Sequence, residues 1–352
     1  MANPTGHPRG MLEAAAVRIK GLGSHPGVRR YGSNIFWLAA EKGIRILIGF
    51  SIGVYVARQL GPAKFGLLNY AISYAAIFSA LAGMGLDVLV VRELVRWPER
   101  RDRLLGTSFL LKLTGFAAMM VLVEATLAIA GPGEGHALIR IIAAGYFFQS
   151  FQVLDCYFQA RVESKYVAWT QIAALLAVSA ARGYFAWAEL PLGYFAAAEA
   201  VYVALMAAGY VFFYRRGGLR TRDWRWDGDL ARQLLRDAWP LLLGSGALMI
   251  YTRLDQVMVK SLLGDADNGQ YAAAVRMIEL GYLPIMIFGN TFFPSVVGMR
   301  KTSLRRYYRR VKSFICGSFY FALLLAGPLA LFGYLVLHYL YGPAYALASE
   351  LF

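Results

Sequence analysis

Cysteine and histidine are scarce in this chain of 352 residues, which contains two cysteines and four histidines. Cys156 and Cys316 lie 160 residues apart within apolar segments, so a disulfide framework and a CxxC redox pair are both excluded. The histidines are scattered, and His7 and His25 lie in the N-terminal tail. The sequence therefore predicts no metal site, because no group of these residues has the spacing of metal ligands.

Charged residues are also few, at 16% of the chain, whereas 58% of the residues are hydrophobic and the mean hydropathy is +0.48. A helix that spans a bilayer needs about 20 apolar residues. Nine segments reach this length, namely Ile35–Leu60, Leu67–Val91, Leu104–Ala130, Ala137–Ala160, Val167–Ala188, Leu192–Tyr214, Ala238–Leu263, Tyr271–Val297 and Phe314–Leu340. Since lipid offers the backbone no hydrogen bonds, we expect these segments to be nine membrane-spanning helices.

Basic residues are distributed unevenly between the two sides of the predicted membrane. The chain has 36 Lys and Arg against 21 Asp and Glu, for a net charge of +15. The basic residues concentrate in the N-terminal tail and in the loops at 92–103, 161–165, 215–236 and 300–312, whereas the opposite loops contain only Lys64. This asymmetry predicts a cytoplasmic N-terminus and contact with anionic membrane lipids. No zinc-finger spacing or aromatic-basic platform predicts nucleic-acid binding.

A glycine-rich loop occurs twice in the chain. The first copy, Leu60–Gly66, reads LGPAKFG, and the second, Leu263–Gly269, reads LGDADNG and begins 203 residues after the first. Each copy follows one long apolar segment and opens another. A repeat this long predicts two related halves packed face to face, which is the architecture of a transporter with its binding site between the halves.

The segments and the repeat together predict an all-α polytopic integral membrane protein with two pseudo-repeated helix bundles. The predicted parts are a cytoplasmic N-terminal tail (1–33), a first bundle of six helices (34–216), a cytoplasmic linker (217–237) and an incomplete second bundle (238–352). At the repeat offset, a complete second bundle would end near position 419, 203 residues after Arg216. The chain ends inside its tenth helix, so we expect a chain truncated after the ninth helix or a degenerate form.

Charged residues inside the apolar segments are the candidates for function. A Lys or Arg at mid-membrane costs about 2.5–3.5 kcal/mol on insertion scales, so it normally faces a cavity or a partner. The candidates for a cationic substrate cavity between the halves are Lys42, Arg45, Arg182, Arg253 and Arg276. The candidates for binding a coupling proton or sodium ion are Glu41, Asp255 and Glu279.

Each of these residues has an alternative role in an interhelical ion pair. Arg182 and Glu199 lie at similar depth on antiparallel neighbours, and Asp255 and Glu279 have Arg253 and Arg276 within reach along the sequence. For four further cations we predict snorkelling to the membrane surface, because they lie nearer the ends of their helices. These are Arg58, Lys112, Arg140 and Lys260.

Several sequence runs carry a family resemblance. The run Val56–Gly66, VARQLGPAKFG, resembles the first-loop signature of Wzx-type polysaccharide flippases, which belong to the multidrug/oligosaccharidyl-lipid/polysaccharide exporter superfamily. The runs Gly83–Leu86 and Val91–Leu94 follow in the order found in that family. In the second half, Leu254–Met258 and Gly269–Glu279 resemble its seventh and eighth helices.

This resemblance implies a flippase of the bacterial cytoplasmic (inner) membrane. It would move a polyprenyl-pyrophosphate-linked oligosaccharide by alternating access, in the export of a polysaccharide such as an O-antigen of lipopolysaccharide or an exopolysaccharide. Its partners would be this lipid-linked oligosaccharide, membrane lipids and other polysaccharide assembly proteins. No cofactor is implied, apart from possible coupling to protons or sodium ions.

Two other functions remain open at this point. A drug/cation antiporter of the same superfamily would favour an acidic cavity, and the basic bias of this chain argues against it. A membrane glycosyltransferase or polymerase of polysaccharide assembly usually has its catalytic acids and bases on large outer loops. The complete outer loops of this chain are very short, so the sequence predicts no catalytic residues and a protein that is not an enzyme.

Overall fold

The computed structural model describes residues 26–279 and 304–350, and its regular elements are all helical. The helices are α1 Pro26–Gly83, α2 Asp87–Arg96, α3 Arg101–Ala130, α4 His136–Gly145, α5 Val153–Ala160, α6 Ser164–Trp187, α7 Leu192–Arg216, α8 Gly228–Leu263, α9 265–279, α10 Leu304–Tyr341 and α11 Ala346–Glu350. Short 3-10 turns connect some of them. The predicted all-α fold is confirmed.

Five helical stretches in the described part of the chain are long and apolar enough to cross a membrane. They are Ala40–Arg96, Pro98–Ala130, His136–Ala160, Leu192–Arg216 and Tyr307–Pro328. The first stretch contains the predicted segment Leu67–Val91 and most of Ile35–Leu60. The helices α6 and α8 have spanning length as well but are not among these five stretches. Of the predicted tail and the eighth segment, residues 1–25 and 280–297 lie outside the described residues.

Glycine produces the turn between the first two predicted segments. The helix α1 is bent at Gly61, whose φ of 72° and ψ of 169° are accessible essentially to glycine alone. The same backbone conformation recurs at Gly264 in the second copy of the loop, and also at Gly131 and Gly342. The two loop copies therefore share a conformation as well as a sequence pattern.

Two of the predicted segments are interrupted rather than continuous. The second segment breaks between Gly83 and Leu86, where Met84 and Gly85 have φ angles of 55° and 64°. The fourth segment changes from α-helix to a 3-10 turn over Tyr146–Gln152 before it continues as α5. A positive φ cannot continue a right-handed helix, so the helix is broken between α1 and α2.

The first bundle packs around buried apolar side chains of α2, α3, α5, α6 and α7. The first turns of α8 join the same core through Ala231, Leu234 and Ala238. The predicted linker 217–237 therefore contains helical residues. Asp227 caps α8 by accepting a hydrogen bond from the Leu230 backbone N–H at 3.1 Å, and its own backbone N–H donates to Thr107 Oγ1 at 3.0 Å.

The two halves of the chain meet along α1. Side chains of α1, α9 and α10 form one buried apolar cluster, which includes Ala57, Ala273 and Leu337. Tyr345 completes this cluster, and its hydroxyl donates to the Ala57 backbone oxygen at 2.8 Å. The cluster holds the second half against the first helix of the first half.

Candidate functional site

The two copies of the repeated loop contact each other at the interface between the halves. A Cβ on Gly66 would collide with the backbone oxygen of Asp265, and a Cβ on Gly269 would collide with the backbone oxygen of Pro62. Asn268 Nδ2 also donates to the Gly66 backbone oxygen at 2.8 Å. Only glycine permits this approach of two backbones, which closes the interface on the side opposite the basic loops.

A cavity of about 450 Å³ lies next to these loops. Its walls come from α1 before and after Gly61, from α6 and α7, and from α9 of the second half. Gly49 and Gly53, one helical turn apart on α1, leave room for it. The charged residues in its wall are Arg45, Arg182, Glu199, Arg276 and Glu279. The described wall therefore presents three arginines and two glutamates.

Arg276 reaches from α9 into the first half of the chain. Its guanidinium lies over the Phe65 ring at 4.9 Å, and its Nη2 donates to Asn69 Oδ1 at 3.4 Å. The group packs so closely against Gly53 that a Cβ there would collide with Nη1. Among the described residues, no carboxylate lies within ion-pair distance of Arg276. An aromatic face and an amide hold this half-buried cation without cancelling its charge.

Arg45 is a cation with a carboxylate partner one turn away. Its Nε donates to Glu41 Oε1 at 2.6 Å, and its Nη2 donates to Gln171 Oε1 at 2.9 Å. Gln171 Nε2 in turn donates to the Tyr210 hydroxyl at 2.9 Å. These bonds join α1 to α6 and α7, and the Arg45 side chain remains 46% exposed.

Arg182 and Glu199 form the predicted ion pair. Arg182 Nη2 lies 2.6 Å from Glu199 Oε1, and both side chains are largely buried in the cavity wall. The pair connects α6 to α7, so it neutralises the Arg182 charge within the first bundle. An ion pair in this position contributes to the packing of the two helices when both partners are present.

The remaining acidic candidates also have partners. Glu279 lines the cavity and lies 3.7 Å from Arg253 Nη1, so the pairing that the sequence left open between these two residues is observed. Asp255 accepts a hydrogen bond from the Tyr271 hydroxyl at 2.7 Å and is not part of the cavity wall. Lys42 is exposed on α1 and is also absent from the wall.

The prediction that Lys112 snorkels is wrong. Lys112 is completely buried, and its Nζ lies 2.5 Å from Asp87 Oδ1. The break before α2, which the apolar pattern does not predict, turns Asp87 toward α3 and provides this partner. The other three predicted snorkelling residues contact other helices of the protein. Arg140 pairs with Glu124 at 2.9 Å, Arg58 Nη2 donates to the Tyr339 backbone oxygen at 2.8 Å, and Lys260 lies 4.7 Å from the Tyr70 ring centre.

Sequence reasoning also missed the residues that hold the cationic groups. Phe65, Asn69 and Gln171 were not recognised as contacts of Arg276 and Arg45. Phe65, near the end of the repeated loop, and Asn69, shortly after it, are one helical turn apart, which places them on one face. The spacing indicates that Phe65 and Asn69 could contact one partner together. It does not indicate which residue of the second half is that partner.

The comparisons with known proteins agree with this architecture. The family model of the polysaccharide biosynthesis protein family matches residues 31–300. The chain belongs to this family. No protein of curated function matches the sequence.

Solved transporters of the MOP superfamily have a similar fold. One is a multidrug resistance MATE family transporter in an inward-facing conformation, with a TM-score of 0.69 and 16% identity over 90% of this chain and 78% of that chain. Another is a MOP superfamily transporter from Pyrococcus furiosus, with a TM-score of 0.56 and 16% identity over 92% and 75% of the two chains. The chain is thus an all-helical member of the polysaccharide biosynthesis protein family, with several helices long and apolar enough to cross a membrane and a fold similar to that of MOP superfamily transporters.

Proposed function

We propose that this polysaccharide biosynthesis protein is a flippase for a polyprenyl-pyrophosphate-linked oligosaccharide. The single observation that carries the proposal is Arg276, a cation in the cavity wall that has no carboxylate partner among the described residues. A pyrophosphate must cross about 30 Å of hydrocarbon during translocation. A guanidinium matches phosphate oxygens with two parallel hydrogen bonds, which are stronger than bonds between neutral groups.

The position of Arg276 at the interface suits alternating access. It belongs to the second half, but it contacts Phe65 and Asn69 of the first half. A ligand phosphate that bonds this arginine would therefore interact with both halves at once. Rocking of one half against the other would separate the Gly66 and Gly269 backbones and open the cavity on the other side. The packed loops support a state that is closed on the side with few basic residues.

The polarity of the cavity favours this substrate over a cationic drug. For the Pyrococcus furiosus transporter, reverse polarity of the binding pocket suggests a different function within the MOP superfamily. In our chain, the two cavity glutamates each have an arginine partner, while Arg276 keeps its charge available. A cationic drug would have to break an ion pair to bind a cavity carboxylate. An anionic lipid headgroup could bind Arg276 without breaking an ion pair.

Flipping by the purified protein in liposomes tests this proposal. We expect a labelled polyprenyl-pyrophosphate oligosaccharide to become accessible on the opposite leaflet only when the protein is present. The matched control lipid has the same prenyl chain and sugar without the pyrophosphate, and we expect little movement of it. Equal flipping of both lipids would contradict recognition by charge. Efflux of a cationic dye without lipid movement would instead indicate the drug antiporter.

The proposed location is the bacterial cytoplasmic membrane with a cytoplasmic N-terminus. The basic loops support this orientation through the positive-inside rule. Single cysteines at positions 63 and 100, in a protein without Cys156 and Cys316, would report the two sides. We expect an impermeant reagent to label position 63 from outside and to leave position 100 unlabelled. The reverse labelling pattern would contradict the orientation.

A further inference from the structure

Asn69 is a buried amide that contacts Arg276, and its orientation is fixed by its own helix. It lies in α1 after Gly61 and is 7% exposed. Its Nδ2 donates to the Phe65 backbone oxygen at 2.7 Å, while its Oδ1 accepts from Arg276 Nη2 at 3.4 Å. A backbone oxygen can only accept a hydrogen bond, so it selects the amide nitrogen and leaves the amide oxygen for Arg276.

The described contacts of Arg276 are neutral, whereas the other two arginines of the cavity wall have acidic partners. Arg45 and Arg182 each lie within ion-pair distance of a glutamate. Arg276 instead contacts the Phe65 ring and the Asn69 oxygen, and no carboxylate of the described residues lies within ion-pair distance of it. An amide oxygen accepts a hydrogen bond from a cation but has no net charge. Asn69 therefore holds the guanidinium and leaves its charge uncompensated.

The repeat provides a second, equivalent contact between the two halves. Adding the offset of 203 residues converts position 53 into 256 and position 73 into 276. Arg276 packs against Gly53, and the equivalent residues also meet, since Ser73 Oγ donates to Gln256 Oε1 at 2.8 Å. Both of these side chains are buried. The halves are thus joined by two related contacts, of which only one contains a cation.

This second contact indicates that packing of the halves does not require an amide and a guanidinium. The residue equivalent to Asn69 is Ala272, which is 1% exposed, and the residue equivalent to Arg276 is Ser73. A methyl group and a short hydroxyl therefore suffice where the halves meet through the second contact. The polar pair is present in one copy of the repeat only, which favours a role in binding over a role in packing.

We propose that Asn69 is the positioning residue of an anion site at Arg276. Its amide oxygen holds the guanidinium beside the Phe65 ring without neutralising it, so an anion can replace the amide as the stronger partner. A carboxylate at position 69 would form an ion pair like that of Arg182 with Glu199, and an anion would have to break that pair. This inference rests on the proposed function only in that it takes the anion to be a pyrophosphate.

A double-mutant cycle with the purified full chain tests the contact without a ligand. The variants are Asn69→Asp, Arg276→Ala and the two together, and thermal unfolding compares them. A new ion pair should make Asn69→Asp less destabilising when Arg276 is present, by about 2 °C or more in Tm. Gln256→Glu is the matched control, because it changes an amide to a carboxylate at the equivalent contact. Its effect on Tm should be the same with and without Arg276, within about 1 °C.

Affinity for a short-chain prenyl pyrophosphate then separates positioning from packing. We expect Asn69→Asp to bind this ligand at least about tenfold more weakly, because the new carboxylate occupies Arg276. Asn69→Ala, which copies Ala272 and adds no charge, should lose only about threefold. Gln256→Glu should bind within about twofold of the wild type, since it does not contact the arginine. A purely structural role of Asn69 would make its two variants lose affinity alike.

Three results would overturn the proposal. They are additive effects of Asn69→Asp and Arg276→Ala on Tm, wild-type affinity in Asn69→Asp, and equal losses of affinity in Asn69→Asp and Asn69→Ala. If Asn69→Asp does not fold, Asn69→Ala still decides, because a loss of about tenfold or more without an added charge would contradict the role of the neutral amide. If the wild type does not bind pyrophosphate, the proposed function fails, and the ligand-free cycle then decides this inference by itself.

Discussion

Arg276 and Arg182 line the same cavity, but their positive charges are held differently. Arg182 lies 2.6 Å from Glu199, and this pair connects two neighbouring helices of the first bundle. Arg276 crosses between the halves and contacts an aromatic ring and an amide instead. A paired guanidinium already has its best partner, whereas one held by neutral groups can exchange them for a phosphate. The comparison separates a cation that supports the fold from one that can bind a ligand.

The largest effect is expected at Arg276. Arg276→Ala should reduce polymer export in a deletion strain by about 10- to 100-fold, because hydrogen bonds to a charged group contribute about 1.5–3 kcal/mol. Protein abundance should stay normal, since no buried carboxylate among the described residues loses its partner. Arg276→Lys should support little export, because an ammonium lacks the planar guanidinium geometry that donates two parallel hydrogen bonds to a phosphate. Arg140→Ala, outside the cavity, is the control. Export equal to wild type in Arg276→Ala would remove the proposed role.

A large effect is also expected where the two repeated loops meet. Gly269→Val would place a side chain against the Pro62 backbone oxygen, which cannot move away as a flexible side chain could. Overpacking of this kind costs about 1–3 kcal/mol and should prevent the loops from closing. We expect at least a fivefold loss of export, together with increased labelling of a cysteine at position 63. Gly193→Ala, which has open space around it, is the matched control. Normal export with unchanged labelling would contradict the prediction that contact between the two repeated loops is needed for transport.

Substitution of Arg182 should lower the stability of the protein rather than its affinity for the substrate. Arg182→Ala leaves Glu199 without a partner in a largely buried position, and we expect a loss of about 1–3 kcal/mol and lower abundance. The double change Arg182→Ala with Glu199→Ala should recover much of that loss, because no unpaired charge remains. Thermal unfolding of the purified variants measures both steps. If Arg182→Ala keeps its stability and loses substrate binding, Arg182 binds substrate as Arg276 does. The distinction between a structural and a ligand-binding arginine would then be wrong.

The smallest effect is expected at Arg253. Its pair with Glu279 has a separation of 3.7 Å, and the Glu279 side chain is 51% exposed. Exposed pairs contribute about 0.2–1 kcal/mol, so Arg253→Ala should change export less than threefold. Parallel export assays of Arg253→Ala and Arg276→Ala test this directly. A loss in Arg253→Ala as large as in Arg276→Ala would show that the cavity uses both arginines of the second half.

Features set by segment length, turn chemistry and neighbouring helices could be predicted from the sequence. The apolar segments predicted the helices, and the Gly61 and Gly264 turns followed from the repeat. The Arg182–Glu199 pair could be predicted because consecutive antiparallel helices place residues of similar depth side by side. In each case the relevant residues are close in sequence or related by a repeat.

Contacts between distant segments could not be predicted in the same way. Arg276 contacts Phe65 and Asn69 because packing between the halves sets the orientation of α9 relative to α1. The periodicity of apolar residues in the sequence does not give this orientation. The pair of Lys112 with Asp87 depends on positive φ angles at Met84 and Gly85, within a run that looks like an uninterrupted apolar helix. A local backbone break thus changed an expected surface lysine into a buried one.

The most direct test of the central claim is the affinity of the purified protein for a short-chain prenyl pyrophosphate, measured by isothermal titration calorimetry. The wild type and the Arg182→Ala/Glu199→Ala variant should bind it similarly, while Arg276→Ala should bind it about 10- to 100-fold more weakly. Added salt should weaken binding by the wild type more than binding by Arg276→Ala. Equal affinity of the wild type and Arg276→Ala would contradict the claim that Arg276 is the group that binds the pyrophosphate.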